Sequence, residues 1–156
     1  TEIDLRLTSN NEVGSLTEGT GVLGSGVSYY QCPMDFNISV DEEINVNAVK
    51  KVFEILGNSS NYPLFFHCSI GTDRTGYIAW LINACLGVNE DDLYHDYLFS
   101  NFGNIGGKRT KDNIKNSYVK SINNTAGASL KEKAINYLLN KGVKQNQIDT
   151  LYSVML

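Results

Sequence analysis

The residues best suited to chemistry stand together in one decapeptide, His67-Cys68-Ser69-Ile70-Gly71-Thr72-Asp73-Arg74-Thr75-Gly76. It joins a nearly unbroken apolar run, Tyr62–His67, to a very apolar segment that ends at Leu86. The first reads as a buried strand and the second as a helix from about Arg74. A loop entering a helix points several backbone N–H groups into one concavity, and the helix dipole adds positive potential there. Such a concavity suits a phosphate dianion. The same field lowers a cysteine pKa from about 8.5 into the range of about 3.5–7.5. Cys68 is therefore expected to be a thiolate, nucleophilic without a separate base. Arg74 closes the loop and offers a planar fork for two phosphate oxygens. Thr75 can donate its hydroxyl to the sulfur, and Gly71 and Gly76 allow tight backbone beside a ligand. The expected phosphate cradle is Ser69, Ile70, Gly71, Thr72, Asp73 and Arg74.

The remaining chain must position this loop. Its 156 residues suit a single domain spanning 1–156. Glu2–Leu7 alternates apolar and polar residues, as a half-buried strand does. Thr8–Gly26 is rich in Gly, Ser, Thr and Asn and reads as a long loop, with a short helix near Asn10–Val13. Val27–Cys32 reads as a second strand stopped by Pro33. Helices are expected from Asp41–Glu42 to Leu56, over Glu90–Phe102, Lys111–Ile122 and Ser129–Asn140, and over Gln145–Met155. The fold class is α/β, a small and mostly parallel sheet flanked by helices, with a helical C-terminal half.

Composition excludes several functions. With 17 acidic and 13 basic residues the net charge is −4, which argues against nucleic acid or an anionic membrane as partner. The longest apolar stretch, Tyr77–Leu86, is far short of the ~20 residues that span a bilayer, so no stable membrane insertion is expected. Three cysteines, Cys32, Cys68 and Cys85, form no disulfide framework, and with only His67 and His95 beside them they form no zinc cluster. No cofactor and no metal is called for. Thr1 is not an initiator Met, so a processed or trimmed product is expected.

The decapeptide matches the HCxxGxxRTG active-site loop of cysteine-dependent protein tyrosine phosphatases, and its Asp-Arg-Thr-Gly ending resembles the bacterial tyrosine/lipid phosphatase branch. Ile3-Asp4-Leu5-Arg6 with Glu12, and Asp96-Tyr97-Leu98-Phe99-Ser100-Asn101, are similar to flanking motifs of that branch. Two departures stand out: Thr72 replaces the usual Lys, and a domain lacking the N-terminal element that precedes Ile-Asp-Leu-Arg in the family is expected. The resemblance implies a tyrosine-phosphatase-like fold and a two-step reaction without a metal. Cys68 attacks phosphorus while an acid protonates the departing oxygen, and water then hydrolyses the phosphocysteine.

Two carboxylates compete for the acid role. Asp35, two residues after Pro33, resembles the mobile Pro-x-Asp acid of dual-specificity phosphatases and is the first choice; the rival is Asp73, inside the loop. Their purely structural alternatives are a turn cap for Asp35 and the orienting of Arg74 or a neighbouring loop for Asp73. His67 is expected either to help depress the thiol pKa or to brace the loop. Cys32 could form a reversible disulfide with Cys68, and Lys108-Arg109 could contact further phosphates or acidic groups of a substrate. The expected substrate is a phosphotyrosyl protein, with a phosphoinositide or inositol phosphate, or a non-catalytic phosphate-binding role, as alternatives. Free thiols suit a cytoplasmic enzyme, with a secreted effector as the alternative. The sequence gives no oligomeric state.

Overall fold

A computed structural model describes residues 1–7, 12 and 21–156. The short helix expected near Asn10–Val13 and most of the Thr8–Gly26 loop lie outside the described residues. Three parallel strands form the sheet: β1 (Glu2–Asp4), β2 (Tyr29–Gln31) and β3 (Phe65–His67), in the order β2-β1-β3. Asp4 pairs with Gln31 on one side and with His67 on the other, so the chain leaves all three strands at the same sheet edge. Parallel strands require crossovers, and α1 (Glu43–Leu56) supplies the one between β2 and β3. Then follow α2 (Asp73–Leu86), α3 (Glu90–Phe99), a 3-10 turn at Ser100–Phe102, α4 (Lys111–Ser117), α5 (Lys120–Asn123), α6 (Leu130–Asn140) and α7 (Gln145–Met155). This is the α/β architecture with a helical second half that the sequence predicts.

The core is organised around α2. Tyr77, Ile78, Trp80, Leu81, Ile82, Ala84 and Cys85 are all buried, as in a helix covered on most sides. It packs on α3 and α6, with Trp80 set edge-on against Tyr94 at 4.7 Å between ring centroids. The α1 helix turns Val49, Val52, Phe53 and Leu56 inward and packs on α7.

Three local expectations change. The Tyr62–His67 run predicts a central strand, but among the described residues β3 is a sheet edge, and Phe65 is 44% exposed. The β1 strand is not half-buried: Glu2, Ile3 and Asp4 are fully inside. Burial opposes ionisation of both carboxyls, yet hydrogen bonds hold each below the usual carboxylate range. Glu2 accepts from the Val22 and Leu23 amides and meets His67, while Asp4 takes the Arg6 guanidinium and the Tyr29 hydroxyl. The segment Lys111–Ile122 breaks into α4 and α5 because the Val119 N–H reaches back five residues to the Ile114 carbonyl.

Candidate active site

The β3 strand ends at His67, and the chain turns through Cys68, Ser69, Ile70, Gly71 and Thr72 before α2 begins at Asp73. Gly71 has φ +73°, a left-handed conformation that a side chain would strain. At Gly76 the reason is proximity, since a Cβ there would come within 2.9 Å of the Tyr97 ring. Thr72 is buried at the N-cap position of α2, without a side-chain hydrogen bond to the helix, whereas Ser69 and Ile70 are exposed.

Cys68 is 6% exposed. Burial alone would raise its pKa, but the Thr75 hydroxyl and N–H, the Arg74 charge and the Ile70 N–H outweigh it and hold the thiol below its ordinary value. Thr75 Oγ1 has no partner of ordinary hydrogen-bond geometry among the described residues, so its contact with the sulfur is a loose one, as a diffuse acceptor allows. The other two cysteines behave oppositely: burial pushes Cys32 and Cys85 up to about 12.

Arg74 is 3% exposed and rigidly held. Glu12 takes its Nη1 and Nη2 at 2.7 and 3.0 Å, and Nη1 also donates to the Met34 and Leu5 carbonyls. Phe36 lies over the guanidinium, 5.1 Å from ring centre to Cζ. Among the described residues nothing accepts from Nε or from the second Nη2 hydrogen. Two parallel donors therefore remain on one edge, the geometry that grips an oxyanion.

A cavity of about 170 Å³ is lined by Cys68, Ser69, Ile70, Asp73 and Arg74 from the loop, joined by Glu12, Phe36 and Arg109. Gly71 and Thr72, expected in the cradle, are not among the lining residues. Asp73 is inside it and occupied: Arg109 donates Nε and Nη2 to its two oxygens at 3.0 and 2.8 Å, and the Tyr97 hydroxyl donates at 3.0 Å. Asp35 is outside, one residue from Phe36, and its carboxylate accepts from the Asn37 backbone and side chain in a tight turn. Asn45 pins that turn through the Asp35 N–H and carbonyl. A larger cavity, about 400 Å³, lies beside Cys32 and Lys51, but the thiol there stays protonated at neutral pH.

A model of the tyrosine phosphatase family matches residues 4–155. The chain belongs to that family. Over 38 residues, 24% of the chain, this family member is 55% identical to a protein of Cupriavidus necator that carries the name of a tyrosine-protein phosphatase. Over 51 residues, 33% of the chain, it is 37% identical to a tyrosine-protein phosphatase of Nostoc commune. The matched stretches span 14% and 17% of those relatives' own lengths. Among the described residues of this family member, no helix is long and apolar enough to cross a membrane.

His67 braces the loop. Its Nδ1 meets the Cys68 carbonyl at 3.1 Å and its Nε2 meets Glu2 at 2.9 Å, and it is not among the groups that lower the thiol pKa. Glu2, Asp4 and His67 bring ligand-type atoms within 4.8 Å of one another, but Arg6 occupies both Asp4 oxygens and His67 Nε2 already meets Glu2. A Cys32–Cys68 disulfide does not fit the sheet. Both residues follow strand positions paired with Asp4, one on each side, which sets them about two strand spacings apart, ~9–10 Å. Bridging fails beyond ~7 Å between Cα atoms. Residue types alone did not mark Phe36, Tyr97 or Asn101 as parts of the site. The available signal was the motif Asp96–Asn101, in which Tyr97 holds Asp73 and Asn101 clamps the Arg109 backbone.

The opposed thiol shifts give a direct expectation. Near neutral pH, iodoacetamide labels one cysteine per chain, Cys68. Its rate persists at pH values where an ordinary thiol, pKa about 8.5, has slowed. Inorganic phosphate slows the labelling. Peptide mapping that finds the label on Cys32 or Cys85, or equal slow labelling of all three, contradicts this.

Proposed function

We propose that this chain hydrolyses phosphate monoesters through a phosphocysteine formed on Cys68, with phosphotyrosyl proteins as the substrate class. The observation carrying this reading is the buried Cys68 thiol held below its ordinary pKa beside a guanidinium with two free parallel donors. The sulfur attacks phosphorus, the bond to the leaving oxygen breaks, and that oxygen takes a proton from a carboxylic acid. Water then attacks the phosphocysteine and gives a proton to the carboxylate. The S–P bond breaks, and inorganic phosphate departs. Arg74 and the loop amides hold the charge that spreads over the equatorial oxygens, so positioning and electrostatics carry most of the rate. Thr75 steadies the sulfur as attacking and then leaving group.

Asp73 is the better-placed acid because it lines the cavity that Cys68 and Arg74 line. Asp35 stays the alternative because its neighbour Phe36 lies on Arg74. Asp73→Asn is expected to slow turnover of phenyl phosphate, a poor leaving group, by about 10²–10⁴-fold while sparing p-nitrophenyl phosphate far more. Should Asp35→Asn produce that pattern and Asp73→Asn not, the roles are reversed.

The exposed faces of Ile70 and Phe36 beside the cavity favour an aromatic stem over a sugar-like ring. Thr72, where the resembling branch has Lys, is buried and adds no positive charge for an inositol polyphosphate. Rates on phosphotyrosyl peptides and on phosphoinositide vesicles, measured side by side, test the substrate class. A strong preference for the lipids would reject it.

A further inference from the structure

Two guanidinium groups, Arg74 and Arg109, line the same cavity, and each faces a carboxylate, but they are used in opposite ways. Glu12 takes the Nη1/Nη2 edge of Arg74 and leaves the Nε/Nη2 edge free. Asp73 takes the Nε/Nη2 edge of Arg109 itself, the edge that would grip an oxyanion. The Arg109 side chain is 20% exposed against 4% for Arg74, so it has room to move. Its backbone does not, because Asn101 accepts from the Arg109 N–H at 2.7 Å and donates to its carbonyl at 3.0 Å. Arg109 is thus a tethered cation with a long, partly solvated stem.

Charge gives a reason for it to move. The charged groups lining the cavity are Glu12, Asp73, Arg74, Arg109 and, once ionised, Cys68, which sum to −1. A phosphate dianion entering this set is the densest negative charge in the cavity, and Arg109 is the cation not locked into the protein interior, free to re-pair its Nε/Nη2 edge from a carboxylate to the dianion with the total charge unchanged. Asp73 can release it. Standing in the first turn of a fourteen-residue helix, it keeps the favourable end of the dipole and the Tyr97 hydrogen bond.

We propose that Arg109 is a second, substrate-responsive phosphate ligand, held on Asp73 until the phosphate of a monoester arrives and then transferred to its oxygens. The proposal rests on the reading of the cavity as a phosphomonoester site. Unpaired from Arg109, Asp73 binds a proton from solvent and becomes the acid for the leaving oxygen. The same pair thereby couples phosphate binding to arming of the acid. The other groups facing Asp73 are Tyr97 from α3, through its hydrogen bond, and Tyr118 at the end of α4, while Arg74 and Cys68 line the same cavity.

Titration of the full chain carrying Cys68→Ser with inorganic phosphate tests the exchange without turnover. Adding Arg109→Met weakens phosphate binding about 10-fold or more, and Arg109→Lys restores part of it. Adding Asp73→Asn instead, which removes the competitor, tightens binding several-fold. Because loss of the Asp73 charge by itself favours an anion, the charge-balanced double variant Arg109→Met/Asp73→Asn decides: it binds phosphate several-fold more weakly than the Cys68→Ser parent if Arg109 is a ligand, and as tightly as that parent if the pair is merely structural. Parent affinity in the double variant, or no change in any variant, overturns the exchange, and Arg109→Gln takes the place of Arg109→Met should the latter misfold. A wild-type chain that binds phosphate but does not hydrolyse p-nitrophenyl phosphate would instead overturn the hydrolase reading.

Discussion

Cys68→Ser is expected to lower hydrolysis of p-nitrophenyl phosphate by about 10⁴-fold or more and to leave the fold intact. The substitution exchanges one small buried side chain for another of nearly the same shape, so packing around the loop is preserved. What changes is ionisation. Thr75, Arg74 and the Ile70 N–H lower a thiol pKa against the opposition of burial, and the same groups acting on an alcohol leave it protonated at any working pH. Thermal unfolding within a few degrees of wild type, together with retained phosphate binding, separates loss of the nucleophile from loss of structure. Residual activity above about one per cent in the folded variant would place the nucleophile elsewhere, and Cys32 and Cys85, both pushed up to about 12, are poor replacements.

The legible part of this site is the part that is contiguous in sequence. Cys68, Arg74 and Thr75 lie on one strand–loop–helix unit whose geometry is set locally, so residue types and spacing suffice to read it. The partners that make those residues competent are distant. Glu12 reaches Arg74 across 62 positions and Arg109 reaches Asp73 across 36, and no local periodicity encodes either pairing. The fold shows the same division. The apolar run through Phe65 and Phe66 marks a strand but carries no count of its neighbours, so the edge position of β3 is a tertiary outcome. Alternation in Glu2–Leu7 reads as one wet face because carboxylates are seldom buried. Their burial depends on Arg6 within the segment and on Tyr29, His67 and two backbone amides converging from other segments. Apolar spacing at Ile114, Tyr118 and Ile122 likewise fits one helix, and only the reach of Val119 to Ile114 divides it.

Arg74→Lys keeps the positive charge and is still expected to cost about 10²–10³ in turnover. The reason is division of labour on one guanidinium: one edge is bound to Glu12 and two carbonyls, and the opposite edge presents paired donors. An ammonium has a single pivot. It pairs with Glu12, which is nearer and more buried than solvent-borne phosphate, and leaves the ligand without a fork. Arg74→Met goes further, removing the cation opposite a carboxylate only 15% exposed. Breaking such a pair costs about 3–5 kcal/mol when fully buried, and the exposure of Glu12 puts this case at the lower end. Adding Glu12→Gln to Arg74→Met is therefore expected to recover much of the stability, because the stranded charge is gone, and none of the turnover, because the fork is gone too. Denaturant midpoints and kcat/KM on the single and double variants read the two effects separately. Stability and turnover recovering together would mean that Arg74 serves the fold alone and that another group binds the phosphate.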